Sequence, residues 1–212
     1  MRPSAAVRSC GKPELREAIV RRLACYASSS RSELHSGRSR ASRRDHGLIF
    51  YDKIPEGDAN PEEVIWASRD AATRLHRLVD RFAGITYLVV DDADEASLAV
   101  GAIEELDGLS LATLLDAVAV DPKAARDLTV IAALGVLAPP SFEPRVFDEF
   151  SRLLADEEPA IRARTISAIA CPSWPEFVPL LEAMASDDPH DEVRSRASVA
   201  LAAFLQHLSG AT

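Results

Sequence analysis

The sequence predicts an all-α fold of stacked antiparallel helix pairs, and three observations predict it. Alanine supplies 35 of the 212 residues and aromatic residues only 6%. An apolar quota filled by Ala and Leu suits closely packed helices better than sheets. From about residue 109 onward, apolar positions recur at helical spacing between short connections, which makes neighbouring helices antiparallel. Finally, IRARTISAIA at 161–170 returns as VRSRASVALA at 193–202, an offset of 32.

The formal charge of −9 divides into +7 over residues 1–46 and −16 over 47–212. We therefore read 1–46 as a basic N-terminal segment and 47–212 as the helical repeat domain. Within the first, PELREAIVRRLACYA at 13–27 predicts a helix: Pro13 suits a first turn, and Leu15, Ile19, Leu23 and Tyr26 share a face. Residues 28–46, rich in Ser and Arg and nearly devoid of apolar side chains, read as linker. Arg21 and Arg22 interrupt the apolar run a secretory signal needs.

Leu48 to Tyr51 form a short apolar run, ended by turn residues Pro55 and Gly57. Asn60, Pro61 and Glu63 carry an N-terminal helix signature. Val64, Ala67, Ala71, Leu75, Leu78 and Phe82 then follow at spacings of three and four, predicting a helix to about Phe82 that Gly84 ends. ITYLVV at 85–90 has strand-like composition, but the only partner in view is 48–51. We expect helix or irregular structure there. Further helices are expected near 95–106, 110–119, from Asp121-Pro122 to before Pro139, and at 143–155, 159–170, 174–186 and 191–208. Ser173 with Glu176 reads as a capping box.

The repeat gives this pattern its unit. Each copy opens with an aliphatic residue followed by Arg162 and Arg164, or by Arg194 and Arg196. Each follows an acidic, proline-containing turn, DEEP at 156–159 or DDPHDE at 187–192. A looser copy runs from Asp121, with Ala125-Arg126 matching Ile161-Arg162. Neither helix of such a pair buries its apolar face alone, and stacking joins the faces into one elongated core. Ala168, Ala170, Ala200 and Ala202 would let the second helices approach closely. DEEPAIRARTISAIA and DDPHDEVRSRASVALA resemble HEAT repeats, clearest over 109–208. That resemblance implies a right-handed α-α superhelix. It also implies that turn aspartates and second-helix arginines join adjacent units: Asp156 with Arg162, and Asp188 with Arg194. Proteins similar to HEAT arrays usually bind other proteins.

No residue pattern names a reaction. His190 among Asp187, Asp188, Asp191 and Glu192 has the composition of a cation site, but its spacing matches no EF-hand and no H-E-x-x-H, and an acidic turn explains it better. The same holds for Asp91, Asp92, Asp94 and Glu95. His76, flanked by Arg74 and Arg77, reads as solvated, and His207 suits a helix C-terminus. Trp66 and Trp174 are candidate interaction residues, aromatic side chains being enriched at interface hot spots. We expect no catalytic, cofactor or metal residues.

The functional expectation is a non-enzymatic protein-binding or scaffold module. Its net negative charge favours basic protein partners and disfavours nucleic acid. No apolar run is long enough for a membrane span. Three scattered cysteines suggest a reducing, cytoplasmic setting. Two alternatives stand beside it: an enzyme or enzyme accessory with a site in 47–108, recognisable by Asp, Glu and His side chains converging on one cleft, and a module that uses its basic start to reach nucleic acid. The oligomeric state is not legible in the sequence.

Overall fold

The computed structural model describes residues 20–27, 48–57, 60–70, 73–91 and 109–210. The chain divides near residue 116 into two compact units, a sheet before the division and helices after it.

The sheet corrects the all-α expectation. Five antiparallel strands, β1 (Val20–Ala27), β2 (Ile49–Ile54), β3 (Glu62–Ala67), β4 (Arg74–Asp80) and β5 (Ile85–Asp91), stand in the order β1-β5-β4-β3-β2. The helix expected from Asn60 to Phe82 is the β3–β4 hairpin. Its apolar residues fall three and four apart because two runs of alternating side chains are separated by a turn. That turn is closed by Ser68 N–H on the Thr73 carbonyl at 2.9 Å. Asn60 caps no helix. Its carbonyl accepts from Gly57 N–H at 3.0 Å in the β2–β3 turn. Gly84, with φ of 71°, sits in the β4–β5 turn, in the left-handed region a Cβ disfavours.

ITYLVV is strand β5, paired with β1 on one edge and β4 on the other. Ile85 to Val90 are all buried, as befits a strand covered on both faces. The helix expected over 13–27 is replaced, over Val20–Ala27, by β1. The competing force is ladder formation: pairing along a central strand outweighs local helical spacing. Residues 28–46 and the helix expected at 95–106 lie outside the described residues. One face of the sheet collects Leu48, Trp66, Leu75, Leu88 and Val90, with Val64 against them.

The helices follow the expected order: α1 (Leu111–Val120), α2 (Leu128–Leu137), α3 (Pro144–Leu154), α4 (Pro159–Ile169), α5 (Val178–Asp187) and α6 (Asp191–Gly210). Short 3-10 turns at Ala124–Arg126 and Pro175–Phe177 precede α2 and α5. Asp127, not Asp121, caps α2, accepting from Thr129 N–H at 2.7 Å. Proline opens α3 and α4, where its missing N–H costs nothing. Ser173 forms no capping box. It adopts φ of 52°, and its hydroxyl donates to the Ala170 carbonyl at 2.6 Å.

The core of the helical unit includes Val146, Phe150, Leu153, Ile166, Ile169, Phe177 and Leu181. α2 and α4 meet so closely that a Cβ on Gly135 would lie 2.5 Å from the Ala168 carbonyl oxygen. Ala168 and Ala200 are buried as close packing requires, while Ala170 is half-buried and Ala202 exposed.

Candidate functional site

The turns between paired helices are built alike. Asp121, Asp156 and Asp188 each accept, through Oδ1, the backbone N–H two residues on: Lys123 at 3.1 Å, Glu158 at 2.9 Å and His190 at 2.9 Å. This Asx geometry fixes each turn, and at Asp156 and Asp188 it leaves carboxylate oxygens facing the preceding unit. The preceding arginine takes them. Arg126 Nη2 donates to Asp156 Oδ1 at 3.0 Å. Arg162 donates twice to Asp188, Nε to Oδ2 at 2.7 Å and Nη2 to Oδ1 at 2.8 Å. Arg162 and Asp188 are 6% and 8% exposed, so this fork-to-carboxylate pair is buried. Its hydrogen bonds hold Asp188 below the usual carboxylate range and push Arg162 up.

Within a unit, Arg162 and Arg194 meet the aspartate's main chain. Arg162 Nη1 donates to the Asp156 carbonyl at 2.8 Å, and Arg194 Nη1 to the Asp188 carbonyl at 2.6 Å. Arg194 also pairs with Asp191. The side-chain ladder therefore runs one unit forward of Asp156–Arg162 and Asp188–Arg194. The second arginine of each motif points the other way. Arg164 Nε donates to the Leu128 carbonyl at 3.1 Å, and Arg196 Nη1 to Ser167 Oγ at 3.4 Å, each on the preceding second helix.

This arrangement opens a cleft of about 450 Å3 at the N-terminal ends of α4 and α6. Pro159, Ala160, Ala163 and Val193 supply its apolar wall. Glu158, His190, Glu192, Arg164, Arg196 and Ser167 supply the polar part. Arg196 is neutralised by Glu192 at 3.0 Å. Nearby, the Glu157 and Asp191 carboxylates are 89% and 92% exposed. His190, weighed in the sequence only as a cation ligand, lines this cleft. Among the described residues no group of three or more His, Cys, Asp or Glu side chains is arranged to hold a metal ion.

Neither tryptophan lies in the cleft. Trp66 is buried in the sheet core. Trp174 is buried where the loops before α3 and α5 meet. Its Nε1–H lies 3.1 Å from both the Pro139 and Pro140 carbonyls, and its ring stacks on Phe177 at 5.6 Å.

In 47–108 the structure joins one carboxylate and one imidazole that the sequence did not pair. His76 Nδ1 lies 2.6 Å from Glu63 Oε1 across β3 and β4. His76 is 5% exposed, not solvated on a polar face, because strand alternation turns it to the same face as Ile65 and Val89, opposite which it pairs. The alternation rule would have found it had the segment been read as strand.

No helix among the described residues is long and apolar enough to cross a membrane. No curated protein and no solved structure matches the chain significantly. A family model described as HEAT repeats matches residues 95–202, just over half of the chain.

Proposed function

Because the chain belongs, through residues 95–202, to the HEAT-repeat family, we propose that it is a non-enzymatic protein-binding or scaffold module that docks its partner in the α4–α6 cleft. The observation that carries this reading is the cleft itself, an open concavity lined by equivalent residues of two successive repeats. Repetition suits an extended partner, which would meet Arg164 and then Arg196 one unit on.

The charge argues for a basic partner. The arginines of the ladder are committed to aspartates and carbonyls, and although Glu157 and Asp191 lie against Arg126 and Arg194, their side chains are 89% and 92% exposed and leave carboxylate surface open to a partner beside the cleft. Carboxylates framing a cleft attract basic segments and repel nucleic acid. Scattered cysteines support a cytoplasmic setting as part of the proposal.

Affinity capture from native lysate with the full chain tests it. A protein retained by the wild type, and weakened by raised salt, should be lost on Ala163→Arg, which fills the cleft without touching the buried core. Equal capture by Ala163→Arg, or binding that disappears on nuclease treatment, would overturn the assignment.

A further inference from the structure

Among the described residues β2 is an edge strand, with β3 as its neighbour on one side only. Ile49, Phe50 and Tyr51 expose 55%, 62% and 58% of their surface there. Three consecutive large apolar side chains on an edge that no described strand covers form a template for another strand.

The pairing of β2 with β3 shows which strand it fits. Ile49 stands opposite Ala67, Phe50 opposite Trp66, Asp52 opposite Ile65, Lys53 opposite Val64 and Ile54 opposite Glu63. Tyr51 is the extra residue of a β-bulge, with the Arg74 guanidinium 5.8 Å from its ring. Residues directly opposite share a face, and so do residues an even number apart on β3. Ile49 and Ile54 therefore share one face, and Phe50 and Lys53 the other. Without the bulge each of these pairs, an odd number of residues apart, would be split between faces.

The geometry points to a second copy of this chain as the occupant of the edge, joined through antiparallel β2–β2 pairing about a two-fold axis. In that register Ile49 lies on Ile54 of the second copy, Phe50 on its Lys53, and Tyr51 on its Asp52. Each pair is made twice, as a closed two-fold interface requires. The apolar pair and the ammonium-on-ring pair are both favourable. The register keeps Asp52 from Asp52 and Lys53 from Lys53, which pairings centred on those residues would bring together. Strand pairing of this length buries little area, so the dimer is a weak, concentration-dependent one.

Sedimentation of the full chain over a concentration series, with amide exchange of residues 49–54, tests this. The mass should rise from 22.9 kDa toward twice that value, with the β2 amides becoming protected in step. Phe50 is exposed, so its substitutions leave the fold intact. Phe50→Lys sets like charges against Lys53 at both symmetric contacts and should weaken dimerisation about tenfold. Phe50→Glu sets opposite charges there and should dimerise at least as well as the wild type. A monomer at every concentration would overturn the proposal, whether its β2 amides exchange freely or are protected by the chain's own segment. Equal effects of Lys and Glu at position 50 would overturn the register.

Discussion

Adjacent elements are held in register by different chemistry in the two halves of this molecule. Between helix pairs the register is set by long charged side chains. Arg126 and Arg162 reach across an interface to a carboxylate already oriented by its own turn. In the sheet it is set by which residues are buried. Trp66, Leu75 and Val90 share one face in cross-strand register, and Glu63 with His76 is a buried polar contact on the other. A buried ion pair specifies one alignment sharply, because every other alignment leaves a charge unpaired. An apolar face specifies it by volume and alternation, and tolerates more substitution.

The largest expected effect breaks the first half of that comparison. Arg162→Ala strands the Asp188 carboxylate in a buried site and should cost about 3–5 kcal/mol. Amide exchange should show the loss in α4 to α6 and leave β3 to β5 protected. Equal loss in both would mean that the two units unfold as one. The pH dependence carries the same signature. Asp188 titrates below its unfolded value, so its contribution is complete above the ordinary carboxylate range and fades as acid protonates it in the folded state. Acid melts should therefore be shallower for Arg162→Ala than for wild type. His76→Phe should cost about 1–3 kcal/mol by leaving the Glu63 carboxylate short of a partner, with lost protection confined to the sheet. Arg126→Ala should cost less than Arg162→Ala, about 1–2 kcal/mol, because that arginine is 36% exposed although the Asp156 side chain it leaves is only 9% exposed. A loss as large as that of Arg162→Ala would show that burial does not rank the ladder.

The helical half was legible because one pattern repeats. Proline at 159, aliphatic-Arg pairs and an offset of 32 place α3 to α6 within a residue or two, except for α5, which starts after a 3-10 turn. The ladder's direction was not legible, since spacing along one chain cannot say which unit's aspartate an arginine reaches. The sheet was misread for a different reason. Val64, Leu75 and Leu78 obey helical spacing while lying on two strands, and β5 is too short for periodicity to show its state. The cleft was visible only as its parts, Arg164, Arg196 and His190, each assigned to its own helix or turn.

The ladder has one further property, which concerns how such a chain changes length. Each motif carries a donor for the next unit and an acceptor for the previous one, so the joints Arg126–Asp156 and Arg162–Asp188 use the same pair of groups at different depths of burial. Duplicating or deleting one whole unit leaves every remaining guanidinium in phase with a carboxylate. The two joints span 30 and 26 residues, so length can also change between donor and acceptor as long as the turn aspartate returns to the guanidinium. The buried pair Arg162–Asp188 thus fixes where two units meet and leaves free how many residues lie between them.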